Sequence, residues 1–187
     1  TRINVKLKSG QETEINAPGP KVTHAQFEQL LSQIRRTTND DIVIVAGSVP
    51  NSIPSDAYAQ IAQITEKTGA QLVVDAEKDL VETVLPYRPL FIKPNKDELE
   101  VMFNTTVKSD EDVIKYGKEI LKKGAQSVII SLGGDGAIYV DQHQSIKAVN
   151  PQGHVVNTVG SGDSTVAGMV AGLSMGLNVD EAFQQAV

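Results

Sequence analysis

Ile42-Val43-Ile44-Val45-Ala46 is an unbroken apolar run, opened by Asp40-Asp41 and closed by Gly47. A short, largely β-branched run between polar and turn-forming residues is expected to be a strand covered on both faces, as in a parallel sheet. The segment before it changes period. From Thr23 on, Phe27, Leu30, Leu31 and Ile34 fall at i, i+3, i+4 and i+7, with Thr23 and Gln26 spaced as a capping box and Arg35-Arg36 at the far end, so an amphipathic helix precedes the strand. The segments after it alternate in the same way. Ser55 to Thr68 carries Tyr58, Ile61, Ala62 and Ile64 and stops at Gly69; Leu72 to Asp75 and Leu90-Phe91-Ile92 are short β-rich runs. Ser109 to Lys123, capped by Ser109 with Asp112 and stopped by Gly124, leads into Ser127 to Ser131. Strands separated by helices form right-handed βαβ units, which predicts an α/β fold with a three-layer, doubly wound, mainly parallel sheet. Ala137 to Val140 and Ser145 to Val149 read as a hairpin, and the Gly- and Ala-rich segment Gly162 to Gly176 as a closely packed helix. At the other end Ile3, Val5 and Leu7 alternate with polar residues, Ser9-Gly10 turns, and a second run reaches Ile15, so the first 16 residues read as a hairpin, broken by Asn16-Ala17-Pro18-Gly19-Pro20.

Composition narrows the function classes. The chain has 187 residues and a net charge of −6, from 17 Lys+Arg against 23 Asp+Glu. An acidic surface argues against nucleic-acid or membrane-surface partners, which call for clustered cations; any anion is therefore held locally. The absence of cysteine removes disulfides and thiolate zinc sites and favours a reducing, cytoplasmic setting. No apolar run reaches the ~18 residues that cross a bilayer. His24, His143 and His154 are too far apart in sequence to suggest a local metal cluster.

In such sheets ligands bind beyond the carboxyl ends of the strands. Four turns stand there: Gly47-Ser48-Val49-Pro50, Lys93-Pro94-Asn95-Lys96-Asp97-Glu98, Ser131-Leu132-Gly133-Gly134-Asp135-Gly136, and Asn157-Thr158-Val159-Gly160-Ser161-Gly162-Asp163-Ser164. The last is the most telling. A Gly-Ser-Gly turn opening a helix presents unpaired N–H groups at the positive end of the dipole, an anion site. A carboxylate at Asp163, inside that site, costs electrostatic energy unless it has a proton to accept, and a hydroxyl attacking a phosphoryl group supplies one. The plainer alternative is a tight turn with Asp163 as an ordinary helix cap. A dinucleotide fingerprint fails, because Thr165 stands where a third glycine belongs, and no Walker lysine motif occurs.

Together the four motifs, in this order, resemble the ribokinase-like, phosphofructokinase-B type family of sugar kinases. The resemblance implies a ribokinase-like fold with part of a small β lid, residues 1–20 being lid and linker. Residues 21–187 would be the nucleotide- and sugar-binding core, truncated at both ends. It implies Asp163 as catalytic base, with the backbone of Gly160, Ser161 and Gly162 as anion hole. Lys93, Asn95, Ser131, Gly133, Gly134, Gly136 and Thr158 would face ATP; Glu98 and Asn95 would hold Mg²⁺, mostly through water. Arg2, Ser48 and Asp163 would face the sugar. Asp75, at a strand end, would reach the cleft. Bland alternatives stand beside these: Glu98 as a first-turn acid, Lys93 as a strand end, the Gly133–Gly136 turn as simple β-turn chemistry, Arg2 as a solvated hairpin charge.

The resemblance is strongest to members acting on phosphorylated ketohexoses, which implies phosphorylation of fructose 1-phosphate to fructose 1,6-bisphosphate. Tagatose 6-phosphate is the second acceptor, and a non-catalytic sugar-phosphate or nucleotide-binding module is the rival from another class. A homodimer formed through the lid is the implied assembly.

Overall fold

A computed structural model describes the backbone of residues 4–9, 11–17, 19–155 and 157–187, and the side chains of 15, 17, 19–155 and 157–187. Arg2, the expected sugar-phosphate ligand, lies outside the described residues.

Thr23 starts the first helix as its spacing requires. Its N–H donates to Gln26 Oε1 at 2.8 Å while the Gln26 N–H donates to Thr23 Oγ1 at 3.3 Å, closing a reciprocal capping box on α1 (His24–Ile34). Phe27, Leu31 and Ile34 form its buried stripe. The β-branched runs become a six-stranded sheet in the order β3-β4-β5-β6-β7-β8. β3 (Ile42–Ala46), β4 (Gln71–Asp75), β5 (Phe91–Ile92) and β6 (Ser127–Ser131) run parallel, and β7 (Ala137–Asp141) and β8 (Ser145–Ala148) follow as an antiparallel meander.

Strand alternation divides the core between two faces. Leu72, Val74, Ile92, Val128 and Ile130 point into one cluster with α1, α2 (Ala57–Thr68), α3 (Lys78–Val84), α4 (Lys96–Phe103) and α5 (Asp110–Lys122). Val73, Phe91, Ile129 and Tyr139 point into the other, with α6 (Ser161–Ser174) and α7 (Val179–Ala186). This is the three-layer α/β arrangement the alternation predicts. The small residues of α6 are used for contact: a Cβ on Gly172 would come within 2.8 Å of Ala182 Cα on α7.

Two expectations need correction. Within the described residues β3 is bonded to β4 alone, and Ile44, expected to be covered, is 45% exposed. An apolar run reports burial propensity, not whether a second neighbour is present. The helices α3 and α7 were not anticipated, being too short for a clear 3.6-residue period. α7 nonetheless carries a readable sign, the Asn178/Glu181 capping box.

β1 (Asn4–Ser9) and β2 (Gln11–Asn16) pair antiparallel with Val5 opposite Ile15, as a separate two-stranded sheet. Among the described residues no helix is long and apolar enough to cross a membrane.

Candidate active site

Parallel strands deliver their carboxyl ends, and the loops that follow, to one edge of the sheet. The first loop is fixed by neighbours distant in sequence. The Gly47 N–H donates to the Asp75 carbonyl at 2.9 Å, and the Gly47 carbonyl accepts from the Tyr58 hydroxyl at 2.7 Å. β4 and α2 thus hold the turn that presents Ser48. Burial, with the nearby Asp75 charge, pushes the Tyr58 hydroxyl up to about 12, so it stays a donor. Beside this loop, Ala17, Lys21, Val22 and Ser48 to Ser52 line an open pocket of about 920 Å³.

The next two strands end in opposite charges. Asp75 closes β4, and Lys93 follows β5, its N–H donating to the Val74 carbonyl at 3.2 Å. The Lys93 Nζ lies 3.3 Å from Asp75 Oδ2, with side-chain exposures of 7% and 19%. Burial raises the Asp75 carboxyl pKa, Lys93 opposes that through charge and a hydrogen bond, and the Asp163 charge adds to it. Asp163 is therefore within electrostatic reach of this pair.

Asn95 and Ser131 form a parallel bridge between the loop after β5 and the end of β6, and the Ser131 N–H donates to the Pro94 carbonyl at 3.1 Å. Asn95 also starts α4. Its Oδ1 accepts from the Glu98 N–H and its N–H donates to Glu98 Oε2, each at 2.8 Å. The single side-chain oxygen of Asn95 and one of the two Glu98 carboxylate oxygens thus serve the cap, and the bland reading of Glu98 as a first-turn acid is correct as far as it goes. Burial raises the Glu98 pKa; the Asn95 N–H and Lys93 lower it, and Asp75 and Glu77 raise it.

After Ser131 the chain makes a short 3₁₀ turn at Gly133–Asp135, closed by the Leu132 N–H donating to the Gly136 carbonyl at 2.8 Å. Asn150 Nδ2, which sequence reasoning missed, supports this turn by donating to the Gly133 carbonyl at 3.0 Å. Gly136 has φ +89°, and a Cβ there would overlap the Ala148 carbonyl, so this position needs glycine on both counts.

The fourth loop opens α6 with Gly160 at φ +83°. Asn157 Oδ1 accepts from the Val159 N–H at 3.1 Å, and the Thr158 carbonyl accepts from the Ser161 N–H at 3.2 Å. The second bond departs from the expectation that Ser161 offers a free anion-hole donor, because the tightness of the turn uses that N–H locally. Gly162 and Asp163 follow in the first turn, where backbone N–H groups lack helical partners. Asp163 is exposed, and Gly162 lies over Lys93: a Cβ there would be 3.0 Å from Nζ.

The structure thus brings Asp163, Gly162, Lys93, Asp75, Asn95, Glu98 and Ser131 to one end of the sheet, with the Gly47–Ser48 and Gly133–Gly136 turns at the same strand ends. A buried ammonium beneath the positive end of a helix suits polyanionic phosphate, and a solvent-facing carboxylate beside it suits proton removal. Among the described residues no group of three or more His, Cys, Asp or Glu is arranged to hold a metal ion. That donor set fits Mg²⁺ only in the way Mg²⁺ usually binds beside phosphates, with one or two carboxylates and retained waters.

Comparison with known proteins places this geometry. The model of pfkB family carbohydrate kinases matches residues 1–187. The chain is 42% identical over 187 residues to the 1-phosphofructokinase of Bacillus subtilis, covering all of this chain and 62% of that protein. It is 35% identical over 187 residues to the D-tagatose-1-phosphate kinase of Bacillus licheniformis, again with 62% of the relative covered. A crystal structure of a Staphylococcus aureus protein assigned as a phosphofructokinase superposes with a TM-score of 0.88 at 79% identity, covering 98% of this chain and 60% of that one. The chain therefore spans about three-fifths of the length of these relatives. A family match over every residue, on a fold that gathers all four motifs at one sheet edge, leads to one conclusion: the chain belongs to the pfkB family of carbohydrate kinases.

Proposed function

We propose that the protein transfers the γ-phosphoryl group of ATP to the free terminal hydroxyl of a phosphorylated ketohexose, with fructose 1-phosphate as acceptor and fructose 1,6-bisphosphate as product. The observation that carries this reading is Asp163 in the first turn of α6. A protein that only bound anions would gain nothing from a carboxylate beside the phosphate site.

In this reading the Asp163 carboxylate accepts the hydroxyl proton as the sugar oxygen forms its bond to the γ-phosphorus. The bond between that phosphorus and the β,γ-bridging oxygen breaks, and ADP leaves with the electron pair. A positioned general base contributes ~10²–10⁴-fold. The N–H groups of Gly160 and Gly162 and the Lys93 ammonium stabilise negative charge on the transferring group, the Ser161 N–H being taken up by the Thr158 carbonyl. Glu98 and Asn95 are the residues that would hold Mg²⁺, largely through water, and the ion would supply neutralising charge to the phosphates. The Gly133–Gly136 turn, with Ser131 and Thr158, would border ATP, and the Gly47–Ser48 turn the acceptor, with Arg2 as partner of its existing phosphate.

Residues 1–20 act in this reading as part of a lid. A lone two-stranded hairpin is marginal in water, which supports its pairing with the hairpin of a second copy and hence a homodimer. The cysteine-free composition supports a cytoplasmic setting.

A second acceptor is favoured by one comparison, the relative named D-tagatose-1-phosphate kinase, which turns the tagatose alternative from the 6-phosphate toward the 1-phosphate. The deciding measurement is Mg-dependent ADP release by the full-length parent protein. It is offered fructose 1-phosphate, tagatose 1-phosphate, tagatose 6-phosphate, fructose 6-phosphate and unphosphorylated ketoses. Turnover with fructose 1-phosphate, lost at least ~10²-fold in Asp163→Ala, is the expected result. ATP binding without turnover on any acceptor would leave a binding module instead.

A further inference from the structure

We propose that Asp75 is a positioning residue: its ion pair with Lys93 fixes the ammonium beneath the first turn of α6, where the phosphoryl donor is held. The proposal rests on the functional reading above and assigns Asp75 a task within it.

The two residues stand at equivalent heights on neighbouring parallel strands, each one position past the paired Val74 and Ile92. Their side chains therefore leave the sheet side by side. A lysine with 7% exposure is rarely left without a counter-charge, and among the described residues the only ion pair of Lys93 is the 3.3 Å contact with Asp75. Without that partner the four-carbon stem has several rotamers, and the ammonium would turn outward to water. With it, Nζ sits against Gly162, so close that a Cβ there would lie 3.0 Å away and 3.4 Å from Cε. Gly162 has no side chain to push Nζ aside, and Asp75 supplies the attraction that holds it there.

Other tasks for Asp75 fit less well. Asp75 Oδ2 is engaged with Lys93 at 3.3 Å. Its backbone carbonyl has a separate partner, the Gly47 N–H at 2.9 Å, which a side-chain substitution leaves in place. The carboxylate therefore reaches the phosphate site through Lys93.

The test is a double-mutant cycle in the full-length enzyme, reading the affinities of ATP and of adenosine, which has no phosphate, by calorimetry alongside kcat. Asp75→Asn should weaken ATP binding or lower kcat roughly tenfold and leave adenosine affinity unchanged; in a Lys93→Gln background the same change should cost less than about twofold. Asp75→Glu, which keeps the charge, should retain ATP affinity within about threefold. If Asp75→Asn alone does not fold, the Asp75→Glu result and the comparison of Lys93→Gln with the double variant still decide. Equal losses for ATP and adenosine, or a full loss repeated in the Lys93→Gln background, would overturn the positioning role. A wild-type enzyme that binds ATP with this pattern but phosphorylates no ketose phosphate would remove the kinase reading and leave the Asp75 assignment standing; one that binds no ATP removes both.

Discussion

The ammonium of Lys93 lies so near the backbone of Gly162 that a Cβ at residue 162 would be 3.0 Å from Nζ. Because Nζ is the end of a flexible chain, Gly162→Ala can be accommodated by moving the ammonium rather than the helix. Stability should change by less than ~1 kcal/mol, since alanine is the better helix former. Activity should not be spared: displacing a charge by a fraction of an ångström at the transferring group is expected to lower kcat/KM for ATP about 10- to 100-fold. Melting and steady-state kinetics of the same variant separate the two effects.

Tyr58 tests the acceptor side. Tyr58→Phe removes the donor to the Gly47 carbonyl and should cost about 1 kcal/mol, read by denaturant unfolding. The freed turn carries Ser48, so KM for the sugar phosphate should rise while ATP affinity, measured directly, stays level. An equal loss for both ligands would place Tyr58 in general stability alone.

Gly136→Ala should be the most damaging glycine substitution of the site. It forces an L-residue to φ +89° and drives a Cβ into the Ala148 carbonyl. Strain of this kind costs about 1–3 kcal/mol before the overlap is counted. The full-length variant should melt lower and lose ATP-dependent protection. Gly160→Ala, at φ +83° with open space around it, should show the conformational part of the cost alone.

Glu98→Gln gives two readouts. The amide oxygen can still accept from the Asn95 N–H, so the cap survives while the charge is lost. The Mg²⁺ concentration for half-maximal activity should rise; an unchanged titration would remove Glu98 from the metal's surroundings. The second readout is pH. Burial holds the Glu98 carboxyl above its ordinary value of 4.5, so the folded chain binds that proton more tightly than the unfolded chain. The stabilisation is complete below the unfolded pKa and is lost as pH rises through the folded one. The stability difference should therefore move in favour of Glu98→Gln as pH rises from 4.5, as followed by denaturant unfolding at successive pH values.

Much of this molecule was set by local rules that a sequence displays. Thr23 with Gln26 marks a helix start because a hydroxyl and an amide three residues apart satisfy each other's backbone donors, and Gly69 marks a stop because its φ is +81°. The α/β alternation and the four turns are visible for the same reason: period and turn chemistry depend on neighbours a few positions away. The sequence also displays Asp163 within its glycine turn, although not that Thr158 takes up the Ser161 N–H. Tertiary structure alone decided the rest. It set the Tyr58 hydroxyl on Gly47, and brought Lys93 to Asp75 and under Gly162. These relations follow from strand order and from which helix covers which face, and they join residues far apart along the chain, where no periodicity records the distance between them.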